Sequence, residues 1–141
     1  MSELYQATLL AHAKQPYGAG SVPRGTEDAE AFHAGCGDEI RVKLEWTAEG
    51  RLAGLVHELH GCAVSLAVAS MAAQCLEGLN RAEIGQRTED FMSRLGQAGF
   101  DESWGDFQAL NGLERYPVRL HCARLVWRAV KLALDGGEGS R

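Results

Sequence analysis

Hydrophobic and polar positions alternate most cleanly from Asp38 to Trp46. Ile40, Val42, Leu44 and Trp46 share one face and Arg41, Lys43 and Glu45 the other, the period-two signature of a half-buried strand. Thr47-Ala48-Glu49-Gly50 reads as a turn, and Leu52, Leu55, Val56 and Leu59 fit a returning strand that ends at Gly61. A hairpin followed directly by a helix is implied, because Val64, Val68, Met71, Cys75 and Leu79 then form one stripe at helical spacing. The Ala and Ser residues around that stripe permit close packing against a sheet.

Before the hairpin, Leu4, Tyr5, Leu9 and His12 recur at helical spacing until Pro16 and Tyr17-Gly18-Ala19-Gly20 break the pattern, which predicts an N-terminal helix of about three turns. Ser21 to Gly37 is polar and aperiodic and reads as a long loop with Cys36 at its end. After the hairpin, Gly78 and Asn80 close the helix, and Asn80 with Glu83 resembles a capping box for a short one. Thr88 reads as the cap of another helix containing Phe91, Met92 and Leu95. Trp104 to Leu113 has Phe107, Leu110 and Leu113 at helical spacing, and a final helix is predicted from about Cys122 to Leu134, with Val126, Ala129, Val130 and Ala133 facing inward. Residues 135–141 read as a disordered tail, so one domain over residues 1–134 is expected, with no repeat.

Composition fits one folded domain: of 141 residues, 45% are hydrophobic and 23% charged. A chain of this size buries about 70% of its unfolded surface, so it needs neither disulfides nor a metal merely to fold, and a metal site would invite a functional explanation. Lys plus Arg number 14 against 19 Asp plus Glu, and the basic residues are scattered, which argues against nucleic-acid binding. The longest mainly apolar stretch, Cys62 to Leu76, is too short to span a bilayer, and the N-terminal residues lack the pattern of a secretory signal. A cytoplasmic protein without membrane contact is expected.

In that compartment the four cysteines are read as thiols or metal ligands rather than disulfides. No two form a CxxC pair, so spacing alone is weak, and their settings are more informative. Cys36 lies in Gly35-Cys36-Gly37-Asp38, where flanking glycines let a thiolate and a carboxylate approach one point. Cys62 follows Gly61 at a strand-to-helix junction, and Cys122 begins the predicted last helix, where the helix dipole favours a thiolate. Three such cysteines with Asp38 would make a tetrahedral set that suits zinc. Thiolates also hold iron–sulfur clusters, and residue types do not separate the two.

Cys75, on the apolar stripe, is read as packing. His57 and His60 are read as surface residues, His33 as a loop residue, and His12 as a hydrogen-bonded partner of the first helix. His121 has two equal readings, a ligand or proton donor against a solvated residue, and Arg119 is read by default as solvated, with a pairing to Asp38 in the absence of metal as the alternative.

These residues together resemble the SufU and IscU type proteins of iron–sulfur cluster assembly. The resemblance runs from about Leu4 to Leu134. It rests on Leu4-Tyr5 with Leu10, His12 and Pro16, on Cys36-Gly37-Asp38, on Gly61-Cys62-Ala63-Val64-Ser65 with Ala69-Ser70-Met71, and on Pro117-Val118-Arg119-Leu120-His121-Cys122. The added segment around Phe91 to Leu113 resembles the SufU branch, whereas His before the last cysteine is an IscU feature. The resemblance implies an α+β fold: a small, mainly antiparallel three-stranded sheet with helices packed on one side. It also implies one zinc ion on Cys36, Asp38, Cys62 and Cys122. Cys36 would accept persulfide sulfur from a SufS-type cysteine desulfurase, which would pass to a SufBCD-type scaffold. The alternatives are a scaffold that transiently assembles a [2Fe-2S] cluster on the cysteines with Asp38 or His121, and a purely structural zinc interaction module that a chelator would unfold.

Overall fold

The computed structural model describes residues 3–33 and 37–136. In chain order the elements are helix α1 (Glu3–Lys14), strands β1 (Ala29–His33), β2 (Asp38–Trp46) and β3 (Leu52–His60), helices α2 (Ala63–Leu76) and α3 (Arg81–Ser93), a kinked segment (Arg94–Ala98) that carries the buried Leu95 out of α3, a 3₁₀ segment (Glu102–Leu110), a short 3₁₀ turn (Leu113–Arg115), and helix α4 (Pro117–Gly136). The strands form one antiparallel sheet in the order β1-β2-β3. Helices α2 and α4 pack on one face, as the expected α+β architecture requires.

The β2–β3 hairpin forms as its alternation predicts, with one irregularity. Glu45 pairs with Gly54 but Trp46 with Leu52, so Ala53 is an extra residue in β3. The bulge shifts the phase of β3 and sets Leu52, Leu55 and His57 all toward the interior. His57 is therefore core, at 1% exposure, and not the surface residue expected. Its Nε2 donates to the Tyr17 carbonyl at 2.8 Å. The segment after α1 completes that edge: Gly18 accepts from the His57 N–H, and Gly20 donates to the His57 carbonyl. Gly18 stands at φ +82°, where a Cβ would lie 2.5 Å from the Leu55 carbonyl oxygen, so glycine alone fits this approach. Trp46, past the bulge, is half-exposed, with the Arg81 guanidinium over its ring at 5.4 Å.

Four other elements depart from the sequence reading. Within the predicted loop Ser21 to Gly37, Ala29–His33 forms strand β1, burying Ala29 and Ala31 in alternation with exposed Glu30 and Phe32. Two alanines carry too little apolar signal for so short a strand to stand out. Thr88 caps nothing: it is buried inside a continuous α3 and donates its hydroxyl to the Ile84 carbonyl at 2.8 Å. The Asn80–Glu83 capping box that opens α3 is present in both directions, at 2.8 and 2.9 Å. The helical spacing of Trp104 to Leu113 becomes 3₁₀ structure broken at Gly105. Finally, α4 starts at Pro117, because proline fits the first turn of a helix, and it runs to Gly136, beyond the expected end at Leu134.

The helical side closes around Phe91, fully buried, whose ring stacks on Trp127 at 4.6 Å and meets Phe100, Trp104 and Phe107. α1 is tied to this body by His12, whose ring nitrogens lie 2.7 Å from Ser70 Oγ and 2.8 Å from Asp106 Oδ2, as the expectation of a hydrogen-bonded His12 holds. Ser70 also accepts from the Tyr17 N–H.

Candidate metal centre

Three chain segments meet where β2 begins, α2 begins and α4 makes its second turn. The register sets Glu39 opposite His60, so the first residue of β2, Asp38, comes alongside Gly61 at the exit of β3. The approach is close: a Cβ on Gly61 would sit 2.6 Å from the Asp38 carboxyl carbon, so the absence of a side chain there makes room for the carboxylate. Cys62 is the N-cap of α2, in extended conformation at φ −77° and ψ 171°, and Cys122 comes across from α4, which packs on α2. As a result a carboxylate oxygen of Asp38 and the sulfurs of Cys62 and Cys122 all lie within 4.8 Å of one another. Cys122 sits inside α4 rather than at its start, so its placement comes from helix packing and not from a helix N-terminus. Cys36, expected as the fourth member, lies outside the described residues.

Asp38 is 3% exposed, and burial by itself would push its pKa up. The hydrogen bonds on its carboxylate outweigh that and hold it below the usual value: the Ser65 hydroxyl first, then the Cys62 backbone N–H, then the thiols of Cys122 and Cys62. Ser65 donates to Asp38 Oδ2 at 2.5 Å, the Cys62 N–H reaches the same oxygen at 3.3 Å, and the Cys62 sulfur lies 3.7 Å from the Ser65 hydroxyl. A buried carboxylate kept charged beside two thiols is the donor set a soft-to-borderline dication such as zinc takes, so the residues fit a metal of that kind.

Ser65 was not singled out by the sequence reading as a site residue. The available signal was positional: it lies three residues after the N-cap cysteine, on the same side of the first turn of α2. Arg119 is exposed, as its default reading expects. Its guanidinium faces the sulfurs, and the attraction of Cys62 pushes its pKa above the ordinary arginine value, with burial opposing and hydrogen bonds to Cys122 and Cys62 adding to it.

The other candidates lie elsewhere. Cys75 is packed against the core, and burial pushes its thiol up to about 11, in keeping with a packing role. His60 is exposed and 3.5 Å from Glu58. His33 ends β1 instead of lying in a loop, and its ring stacks on that of His121 at 4.6 Å and 21°. Beside Cys62, a shallow apolar groove of about 260 Å³ runs between α1 and α2, lined by Leu9, Leu10, Ala63 and Val64.

The sequence profile of the NifU-like N-terminal domain matches residues 4–136. This chain belongs to that family. Among relatives of this NifU-like domain, the zinc-dependent sulfurtransferase SufU of Bacillus subtilis is 28% identical, over 99% of this chain and 95% of the relative. The iron–sulfur cluster assembly scaffold protein IscU of Streptococcus pyogenes is 26% identical over 95% and 84%. A crystal structure from Fervidobacterium islandicum, named for iron–sulfur cluster assembly scaffolding in the SUF system, superposes with a TM-score of 0.73. It shares 25% identity and covers 95% of this chain and 96% of its own. The three-stranded sheet with helices on one face is thus the fold of the NifU-like domain. No helix among the described residues is long and apolar enough to cross a membrane.

Proposed function

We propose that this chain is a zinc-dependent sulfur acceptor and carrier in iron–sulfur cluster assembly, taking persulfide sulfur from a SufS-type cysteine desulfurase and passing it to a SufBCD-type scaffold. The observation that carries this reading is the convergence of Asp38, Cys62 and Cys122 within 4.8 Å, in a chain whose sequence has Cys36 two residues before Asp38. The likeness to SufU over nearly the whole of both chains supports it.

In this reading Cys36, Asp38, Cys62 and Cys122 hold one zinc ion, which when bound keeps its cysteine ligands deprotonated at neutral pH. Ser65 and the Cys62 N–H hold the Asp38 carboxylate charged and oriented. Gly37, at φ +75°, supplies a left-handed turn between Cys36 and β2 that a residue with a Cβ would strain. The Cys36 thiolate attacks the terminal sulfur of the desulfurase persulfide. The donor S–S bond breaks as the new S–S bond forms, the donor cysteine leaves as a thiolate, and the proton on the transferred sulfur travels with it, so no external oxidant or reductant is needed. Arg119, facing the sulfurs from an exposed position, favours the anionic sulfur species on both sides of this exchange. The apolar groove beside Cys62 offers the desulfurase a contact surface close to the acceptor.

A second reading, transient assembly of a [2Fe-2S] cluster as cargo, is favoured by one feature, His121 next to Cys122, together with the likeness to IscU. Native mass spectrometry after anaerobic incubation with a cysteine desulfurase, cysteine and ferrous iron separates the two. The carrier reading expects zinc retained and one added sulfur mapped to Cys36, lost in Cys36→Ala with an unchanged circular dichroism spectrum. Loss of zinc with uptake of iron and inorganic sulfide would overturn it in favour of the scaffold.

A further inference from the structure

Two imidazoles stand at the edge of this centre, and the fold gives them to each other. His121 is exposed and directly precedes Cys122 on the second turn of α4, so its imidazole is the nearest nitrogen donor to that cysteine along the chain. His33, the last residue of β1, is the register partner of Asp38. Its ring lies flat on that of His121, with centroids 4.6 Å apart and planes at 21°. Among the described residues the converging ligand set contains Asp38, Cys62 and Cys122 and neither histidine.

We propose that His33 is a positioning residue that parks His121 away from the thiols, so that the metal is held by cysteines and Asp38 and not by imidazole. The inference rests on the zinc-centre reading above and deepens it. Zinc takes imidazole readily, and in a chain with a histidine adjacent to a ligand cysteine, His121 and Asp38 compete for one coordination position. Two features of the fold bias that competition. Asp38 is held in place by Ser65 and the Cys62 N–H, and His121 is held out of place by the ring beneath it. An aromatic stack of this kind shifts rotamer populations by roughly 2- to 10-fold, enough to decide between two ligands of similar affinity. His33 lies on a different element from His121, so the restraint depends on β1 and α4 packing together, which they do.

The test is nitrogen NMR of the zinc-loaded full chain with ¹⁵N-labelled histidine, in which a zinc-bound ring nitrogen is distinguished from a free one. The wild type should show both His33 and His121 rings free of metal, with cross-relaxation between their ring protons. In His33→Ala a zinc-bound His121 signal, absent from the wild type, should appear. His33→Phe, which keeps a flat ring under His121, should behave as wild type, and His33→Ala with His121→Ala should return to a centre without imidazole. A metal-bound His121 in the wild type, or an unchanged His121 signal in a His33→Ala protein that retains zinc, would overturn the parking role. If neither wild type nor variants take up stoichiometric zinc, the zinc-centre reading itself falls and this inference with it, a result that metal analysis of the same samples identifies.

Discussion

The two ends of the helical layer are held together by different physics. Around Phe91, five aromatic rings from α3, the 3₁₀ segment with the residues leading into it, and α4 meet with centroids 4.6 to 6.5 Å apart. Each ring touches several others, so the cohesion is shared and has little directional demand. At the other end, Asp38, Ser65 and the Cys62 N–H depend on a few hydrogen bonds with specific geometry that converge on one carboxylate, with Asp38 and Ser65 buried. Losing one partner there strands the rest as buried polar groups. The aromatic end carries stability, and the polar end spends some of it to keep a charged carboxylate next to two thiols.

Substitutions can break this division of labour or sharpen it. The largest effect is expected for Phe91→Ala, which removes a fully buried ring shared by four of the eight aromatic contacts. It should cost about 3 to 5 kcal/mol in urea unfolding, with an unchanged denaturant slope, while any molecules still folded keep their metal affinity. A variant that loses metal affinity while still folded would show that the two ends are coupled.

Next, Gly61→Ala would drive a methyl group into the Asp38 carboxylate and should cost about 1 to 3 kcal/mol of stability together with most of the zinc retention. Metal analysis after gel filtration measures the second effect, and full retention would remove Asp38 from the ligand set. Ser65→Ala is gentler. It should lower zinc affinity by about 10- to 100-fold through the loosened carboxylate, with the fold intact by circular dichroism.

A smaller effect concerns His57, which belongs to neither end. Burial disfavours its charged form and lowers its pKa from the model-peptide value of 6.5, only partly offset by the hydrogen bond to the Tyr17 carbonyl. The unfolded chain therefore takes the proton first, so stability is fully present above about pH 6.5 and falls as the pH drops below it. The Nδ1 atom is buried with no partner, so protonation also sets an unmatched donor in the core. Urea midpoints measured between about pH 7.5 and 5.5 should fall in the wild type and flatten in His57→Leu; parallel curves would exclude His57 as the cause. Asp38 acts in a lower window. Its lowered pKa means that stability is lost only as the pH falls below 3.8. At the small end, Lys131→Ala removes exposed contacts to Glu89 and Asp135, each at 3.7 Å, and should change stability by less than about 0.5 kcal/mol.

How much of this was legible in the sequence follows the same division. Strong periodicity revealed β2, α2 and the capping box of α3, because each is written in contiguous residues. The settings of Cys36, Cys62, Cys122 and Asp38 pointed to the candidate ligands, and the resemblance supplied the three-stranded sheet and the zinc. β1 was missed because Ala29 and Ala31 carry little apolar contrast. His57 was misplaced because a single extra residue, Ala53, reverses the facing of everything after it.

By itself, then, the sequence determined the local elements and the residue types available for chemistry: thiols at Cys36, Cys62 and Cys122, a carboxylate at Asp38, and glycines where the backbone must turn or be approached. Only the tertiary structure decided which of them meet. Asp38 reaches Cys62 through strand register, and Cys122 reaches both through the packing of α4 on α2. Ser65 becomes the donor that keeps the carboxylate charged, and His33 comes to lie on His121, through contacts between residues 27 and 88 positions apart, distances over which local pattern carries no information.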